Sequence, residues 1–240
     1  MTLPCDFNAF ILAAGEGRRL RPYTNDTPKP LVRLAGKPIL EHMINRLKEA
    51  HIPHVTVNGH YKKEVLKTFL QSVTSPPIYL SEEDELYNTG LGVKRALHTM
   101  EGKPFYLLNG DAFWTEGENG TVLERLAAAW NPDQMDILLL LQPIRNMILT
   151  TGVGDYDLTD DGTVIRSTDK SGEYMFAGIR ICSPHIFENT PDTPFGFLDL
   201  MDEAEKKGRL HAIVHDADWH HISTPADLDR VNTALAEKAA

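Results

Sequence analysis

An alternation of short apolar runs with segments of helical spacing extends over residues 9–141, and this feature most constrains the fold. The first run, AFILAA at residues 9–14, ends at a glycine, which is typical of a strand buried on both of its faces. Pro38 then opens a segment whose apolar residues recur at helical spacing. Those residues are Ile39, Leu40, Met43, Ile44 and Leu47.

The same alternation continues through the first half of the chain. It predicts strands at 54–58, 77–81, 105–111 and 136–141, and helices at 62–70, 92–100 and 122–129. Strands that alternate with helices form a parallel sheet with helices on both faces. We therefore predict an α/β fold built on a doubly wound, mostly parallel, Rossmann-like sheet.

The pattern changes at about residue 150. An Asp-Gly pair at 161–162 lies between two short strand-like segments, which is the signature of a hairpin, and a longer strand-like segment follows it. We find no internal repeat and no low-complexity linker. We predict one domain over residues 1–240 with a small β-rich insertion at 150–182.

The loop after the first strand concentrates positive charge in a chain whose formal net charge is -10. It places Arg18, Arg19, Arg21 and Lys29 beside two glycines in the stretch ILAAGEGRRLRPYTNDTPKPL. In a parallel sheet this loop lies at the carboxyl end of its strand, where such folds bind ligands. Because glycine permits close backbone approach and guanidinium groups match phosphate oxygens, the loop predicts an anion site.

Three interpretations of this loop compete with one another. A P-loop requires a Gly-Lys-Ser/Thr sequence, which is missing. A dinucleotide fingerprint requires a third glycine where Leu20 stands, and Pro22, Pro28 and Pro30 exclude a helix until about Pro38. A dinucleotide oxidoreductase is therefore disfavoured. A long, stiff, cationic phosphate loop and a simple solvated basic loop stay open.

The net charge, the length of the apolar runs and the number of cysteines limit which partners and which cellular compartment we expect for this chain. An acidic chain lacks the broad cationic surface that nucleic acids and anionic membranes require. The longest apolar run, at 137–141, is too short to span a membrane, and the first residues do not resemble a signal peptide. Two cysteines, Cys5 and Cys182, cannot build a disulfide framework. We expect a cytoplasmic protein that binds neither nucleic acid nor membrane.

Residues 12–40, LAAGEGRRLRPYTNDTPKPLVRLAGKPIL, resemble the signature of the sugar-1-phosphate nucleotidyltransferases. The similarity continues through NTGLG (88–92), NGD (109–111), FAGIRICSP (176–184) and WHHISTP (219–225), in the order of that family. The resemblance implies transfer of a nucleoside monophosphate from an NTP to a sugar 1-phosphate with release of pyrophosphate. It also implies Mg²⁺, with Mn²⁺ as an alternative cofactor.

The resemblance assigns roles to residues that match the family motifs. Arg19 matches the signature arginine, which implies contact with the β- and γ-phosphates, and Lys29 matches the lysine for the α-phosphate and the attacking phosphate. Asp111 matches the aspartate that holds Mg²⁺. The implied nucleotide-binding residues are Leu12, Ala13, Ala14, Gly15, Gly17, Arg18, Asn88, Thr89 and Gly90. The implied residues for the sugar phosphate are Asn109, Lys170 and Gly178.

Two departures from the family pattern bear on the metal and on the base. His221 stands where relatives carry a second aspartate. Three alternatives follow: His221 binds the metal through a water molecule, it helps to hold Mn²⁺, or Asp111 holds the ion nearly alone. The neighbouring histidines lack the spacing of a zinc site. Asn88 and Leu91 replace the glutamate and a glycine of an E-T-G-G-G motif near the base, although Asn and Gly are also ordinary helix-start residues.

The chain is most similar to uridylyltransferases that act on N-acetylmuramate 1-phosphate, a role in peptidoglycan recycling. We therefore expect UMP to be transferred to that sugar, by a monomer or a small homo-oligomer. Thymidylyl, guanylyl or cytidylyl transfer to another phosphorylated sugar stays open. So does a catalytically weak regulator that binds nucleotide sugars.

Overall fold

The order of strands and helices follows the predicted alternation. The structure, a computed structural model, describes residues 6–239, so Cys5 lies outside the described residues. The strands are β1 (Ala9–Leu12), β2 (Arg33–Leu34), β3 (Lys37–Pro38), β4 (Val55–Gly59), β5 (Ile78–Glu82), β6 (Phe105–Asn109), β7 (Ala112–Trp114), β8 (Ile137–Pro143), β9 (Tyr156–Leu158), β10 (Val164–Arg166), β11 (Tyr174–Cys182), β12 (Leu210–Val214) and β13 (Trp219–His221). The helices are α1 (Ile39–Glu49), α2 (Lys63–Gln71), α3 (Asn88–Arg95), α4 (Val122–Ala129), α5 (Phe197–Lys206) and α6 (Pro225–Ala239).

A nine-stranded sheet forms the centre of the molecule, in the order β10-β9-β11-β6-β1-β4-β5, with β8 beside β11 and β12 beside β8. Strand β1 is parallel to both β4 and β6, and β12 is parallel to β8. Strand β11 runs antiparallel to β6 and β8. The predicted α/β class with a mostly parallel central sheet is confirmed.

Strand β1 is buried on both faces, as its continuous apolar run predicts. Phe10 packs into one hydrophobic cluster and Ile11 into the other, on opposite sides of the sheet. On the Ile11 side, the apolar residues predicted for α1 are all buried, with Leu40 and Met43 completely so. The two clusters hold the carboxyl ends of β1 and β6 side by side.

The third helix begins earlier than the spacing of its apolar residues predicts. It starts at Asn88 instead of residue 92, and its last part is a short 3₁₀ helix at Leu97–Met100. The Gly90 N–H donates to the carbonyl of Phe195, and the Phe195 ring lies where a side chain at position 90 would project. This contact with a remote loop fixes the start of the helix.

Several short strands are missing from the sequence prediction. Strands β7 and β13 pair with each other in antiparallel fashion, and each is three residues long. The predicted hairpin is present as β9 and β10, whose Asp-Gly turn contains Gly162 at φ +85°. Strand β11 lies within the segment predicted as an insertion and pairs with β6 in the main sheet. The division into one domain with an insertion stays a prediction.

Within residues 6–239, none of the helices combines the length and the apolar character that crossing a membrane requires. Cys182 carries a free thiol that is buried in β11. Burial raises the pKa of this thiol to about 12, although the Arg180 guanidinium opposes the shift. The thiol is therefore protonated and unreactive at neutral pH.

Candidate active site

A cavity of about 470 Å³ opens at the carboxyl ends of β1 and β6, beside the cationic loop. The predicted site residues that line it are Leu12, Ala13, Ala14, Gly15, Gly17, Arg18, Arg19, Lys29, Asn88, Thr89, Asn109 and Asp111. The sequence analysis missed Pro30, Asn58, Glu83, Leu86, Gly110 and Ser223, which also line it. Gly90, Lys170, Gly178 and His221 are absent from the described lining of this cavity.

The cationic loop turns sharply at Gly17. Its φ of +61° is in the left-handed region, and a Cβ there would lie 2.9 Å from Lys29 Cβ and 3.0 Å from Thr24 Cγ2. The Thr24 hydroxyl donates to the Gly17 carbonyl at 2.9 Å, which ties the two sides of the loop together. Short 3₁₀ helices at Arg18–Leu20 and Lys29–Leu31 follow, and the first α-helix starts at Ile39. The proline-based exclusion of an early helix is thus correct.

Gly15 differs from Gly17, because nothing lies within 4 Å of the position that a Cβ at Gly15 would take. We expect Gly17→Ala to lower the free energy of unfolding by at least ~2 kcal/mol, through a strained φ and overpacking. We expect Gly15→Ala to leave stability within ~0.5 kcal/mol of wild type while it weakens nucleotide binding at this open surface. Urea unfolding and nucleotide titration measure the two effects, and equal loss of stability in both variants would contradict the assignment.

Lys29 and Asp111, which both line the cavity, form an ion pair. The Lys29 Nζ atom donates to Asp111 Oδ2 at 2.5 Å, although the two residues are 82 positions apart in the chain. The Lys29 side chain is 13% exposed and the Asp111 side chain is 33% exposed. Gly110 allows this approach, because a Cβ there would lie 2.5 Å from the Leu12 carbonyl oxygen.

The Asp111 carboxyl is ionised at neutral pH. Burial by itself raises its pKa, but the charge of the Lys29 ammonium and the hydrogen bond from it hold that pKa below its usual value. The site therefore presents a carboxylate beside a lysine ammonium. Such a pair can position an anionic ligand and a divalent cation next to each other.

The two adjacent arginines of the loop differ in their surroundings. Arg18 is exposed and forms an ion pair with Glu16, which raises the pKa of Arg18 and lowers that of Glu16. Arg19 is exposed at the rim of the cavity, and within residues 6–239 it makes no ion pair. Arg19 is therefore the guanidinium that is available to a ligand at this rim.

A buried polar network supports the floor of the cavity and was missed by the sequence analysis. The Ala13 N–H donates to Asn58 Oδ1 at 2.7 Å, and Asn58 Nδ2 donates to Glu83 Oε1 at 2.7 Å. Burial raises the pKa of Glu83, against the hydrogen bonds from Asn58 and from the backbone of Tyr87. Asn58 lies near the end of β4 and Glu83 directly follows β5, so their position at the carboxyl edge of the sheet was the available signal.

Asn88 has an unusual backbone conformation at the edge of the cavity. Its φ is +63°, and its side-chain oxygen accepts a hydrogen bond from the Thr89 N–H at 2.8 Å. Asparagine adopts this left-handed conformation more readily than glutamate does. The backbone conformation therefore gives a physical reason for asparagine at this position. The Thr89 hydroxyl oxygen accepts a hydrogen bond from the Phe197 N–H at 2.9 Å.

His221 is the last residue of β13 and interacts electrostatically with both Asp111 and Lys29. Burial lowers its pKa, against the attraction of Asp111, so the imidazole is neutral at pH 7. Its Nε2 atom lies 2.7 Å from the Ser223 hydroxyl, which also lines the cavity. A neutral imidazole has a free lone pair and can ligate a metal ion directly or through water.

The donor groups at this site fit a divalent cation that takes most of its ligands from phosphate and water. Asp111 supplies a carboxylate, and His221 supplies a neutral imidazole in the field of that carboxylate. In the described part of the chain, no three His, Cys, Asp or Glu side chains are arranged to hold a metal ion. One or two carboxylates plus substrate phosphates is the usual manner in which proteins bind Mg²⁺.

A second cavity of about 240 Å³ adjoins the first, and Thr89 and Asn109 line both. Lys170, predicted on the sugar side, lines this second cavity and donates to Asp155 at 2.8 Å. Gly178 has a φ of +76°, and its Cβ position lies 3.1 Å from the Asn109 side chain. Of the predicted sugar-side residues, Asn109 thus lines both cavities, Lys170 lines the second, and Gly178 packs against Asn109.

The chain is similar to known proteins over nearly its whole length. Residues 9–152 match the family described as the MobA-like NTP transferase domain. The chain is 34% identical to the N-acetylmuramate alpha-1-phosphate uridylyltransferase of Caulobacter vibrioides, and the match covers 95% of this chain and 97% of that protein. It is 28% identical to the bifunctional protein GlmU of Methanococcus maripaludis, of which it spans 55%.

A solved structure shares the fold. The structure of a UDP-glucose pyrophosphorylase complexed with UDP-glucose superposes with a TM-score of 0.80, and the match covers 99% of this chain and 100% of that one. The sequence identity is 15%, so this similarity concerns the architecture alone. It supports the α/β description given above.

Proposed function

The chain belongs to the MobA-like NTP transferase family and is a sugar-1-phosphate nucleotidyltransferase, and we propose that it transfers UMP from UTP to N-acetylmuramate 1-phosphate. Pyrophosphate is the second product. The support for this donor and this acceptor is the 34% identity to the Caulobacter vibrioides uridylyltransferase, which extends over 95% of the chain. The single structural observation that carries the reaction type is the Lys29–Asp111 ion pair inside the glycine-lined cavity.

In this reaction a phosphate oxygen of the sugar attacks the α-phosphorus of the nucleotide. Both reactants are anions, so the enzyme has to reduce their repulsion, align the attack and stabilise the developing charge. In our proposal the Lys29 ammonium binds the α-phosphate and the attacking phosphate. Arg19 binds the β- and γ-phosphates, which depart as pyrophosphate. Gly15 and Gly17 let the backbone approach the phosphate chain.

The family generally uses a divalent cation, and we propose Mg²⁺ held by Asp111. When bound, this ion neutralises charge on the nucleotide phosphates. Asp111 also orients Lys29 through their shared hydrogen bond. In our proposal this one carboxylate therefore positions both the Lys29 ammonium and the divalent cation. His221 is the proposed second contact of the metal, and its neutral ring favours Mn²⁺ more than an aspartate does.

A pyrophosphate-release assay tests the proposal directly. Purified protein is mixed with each of the four NTPs and with a set of sugar 1-phosphates that includes N-acetylmuramate 1-phosphate and N-acetylglucosamine 1-phosphate. We expect the highest kcat/KM with UTP and N-acetylmuramate 1-phosphate. A higher value with another NTP reassigns the base, and binding without turnover of any pair indicates the regulatory alternative.

Replacing His221 by aspartate tests the metal assignment. Because a carboxylate is a harder ligand than imidazole, we expect His221→Asp to lower the Mg²⁺ concentration for half-maximal activity by at least ~10-fold and to reduce any preference for Mn²⁺. His221→Asn is the matched control, since it adds no charge. An unchanged Mg²⁺ requirement in the aspartate variant removes His221 from the metal site.

We expect the reaction to take place in the cytoplasm, where nucleoside triphosphates are available, and to return a cell-wall sugar to its nucleotide form. This expectation is supported by the identity of the relatives, and an assay of cell fractions tests it.

A further inference from the structure

Arg180 is a buried cation in the second cavity to which neither the family resemblance nor the reaction chemistry assigns a role. It lies on β11, is 2% exposed, and lines the cavity together with Asn109. Its Nε atom has no hydrogen-bond partner among the residues that the structure describes, and its Nη1 atom reaches Asn109 Oδ1 only at 3.5 Å. A guanidinium that is buried without a strong acceptor destabilises a protein, so its presence requires an explanation.

The other two cations of this cavity are already neutralised. Arg166 is paired with Asp202 at 2.6 Å, and Lys170 is paired with Asp155 at 2.8 Å. Arg180 instead lies over the rings of Phe197, at 4.1 Å, and Phe176, at 5.0 Å. These contacts orient the planar group without cancelling its charge. Burial lowers the pKa of Arg180 to about 10, which leaves it charged at neutral pH.

The carboxylates of Asp202 and Asp155 thus neutralise two of the three cations of the cavity. The charge of Arg180 is left uncompensated. In the proposed reaction the 1-phosphate of the sugar reaches Lys29, which is in the first cavity. The body of the sugar then extends past Asn109 and Thr89 into the second cavity. The group that meets Arg180 is consequently a substituent of the ring and not the 1-phosphate.

We infer that Arg180 is a specificity-determining residue that binds a carboxylate on the sugar ring, so that the enzyme selects acidic sugar 1-phosphates over neutral ones. This inference rests on the proposed function, because N-acetylmuramate differs from N-acetylglucosamine by a lactyl ether that carries a carboxylate. The fork of a guanidinium matches both oxygens of such a group.

The test compares the two acceptors in wild type and in Arg180→Met, with UTP as donor. We expect the variant to lose at least ~30-fold in kcat/KM for N-acetylmuramate 1-phosphate and to change less than ~3-fold for N-acetylglucosamine 1-phosphate. Arg180→Lys keeps part of the preference, because it keeps the charge but not the fork. Arg125→Met is the control, since it removes an arginine that is paired with Asp216 and lies outside the lining of both cavities.

Two further readouts separate this inference from the proposed function. Calorimetric binding of the two sugar phosphates needs no turnover, and a wild-type protein that binds both equally overturns the role of Arg180 even if uridylyl transfer is observed. Thermal unfolding of the free protein gives the second readout. We expect the Tm of Arg180→Met to be at or above that of wild type, because methionine removes an uncompensated buried charge. Equal loss of kcat/KM for both acceptors, or a clear fall in Tm with unchanged selectivity, assigns Arg180 a structural role instead.

Discussion

Asp111→Asn is expected to reduce kcat for nucleotidyl transfer by at least ~10²-fold while the fold is retained. Asparagine keeps the size and the hydrogen-bonding oxygen, but it removes the negative charge that faces the Lys29 ammonium at 2.5 Å. It also removes the carboxylate on which divalent cation binding depends in our proposal. Steady-state kinetics at increasing Mg²⁺ measure the effect, and excess Mg²⁺ should restore only part of the activity.

Asp133→Asn is the matched control, because Asp133 is exposed and lies outside the lining of the cavity. Its activity should equal that of wild type. A turnover of Asp111→Asn within ~3-fold of wild type, at equal Tm, would falsify the placement of Asp111 at the reacting phosphates.

The second large effect is expected from Lys29→Ala, which should lower kcat by ~10²-fold or more. This substitution removes the cation that we assign to the attacked phosphate and leaves the Asp111 carboxylate without its partner. Because Lys29 helps to hold the pKa of Asp111 below its usual value, that pKa should rise in the variant. The acid limb of the pH profile of kcat/KM should therefore move to higher pH, which a structural defect alone does not produce.

Lys206→Ala serves as the control for a lost lysine, since the Lys206 side chain is 73% exposed and lies outside the cavity lining. In the double variant Lys29→Ala with Asp111→Asn, the losses should be far from additive, because the two side chains act on the same phosphates. Additive losses would mean that the two residues act independently, contrary to the shared hydrogen bond.

Much of the architecture was readable from local sequence patterns. The apolar run before Gly15, the helical spacing after Pro38 and the Asp-Gly pair at 161–162 each predicted the element that is present. The error at α3 arose because Gly90 packs against Phe195, more than one hundred residues away. Strands β7 and β13 are too short to show periodicity, and only their mutual pairing makes them strands.

The sequence analysis identified the residues of the candidate site that belong to recognisable motifs. It missed the residues whose importance depends on their burial in the folded structure. Lys29 and Asp111 were identified from motifs that occur far apart in the chain, and the fold brings them into contact. Asn58 and Glu83 carried only the weak signal of polar residues at strand ends. Arg180 is a single arginine in the strand-like segment FAGIRICSP, and nothing in the local sequence indicates a role for it.

The sequence by itself determined the α/β class, the glycine-containing cationic loop and the supply of positive charge, because strand periodicity, glycine turns and proline rigidity are properties of neighbouring residues. Only the tertiary structure decided which of those charges are free. Arg18 is neutralised by Glu16, Lys29 is paired with Asp111, and Arg180 is buried without a carboxylate partner in the described chain. Electrostatic pairing and desolvation depend on which distant side chains share a low-dielectric space, and the packing of the folded sheet sets that arrangement.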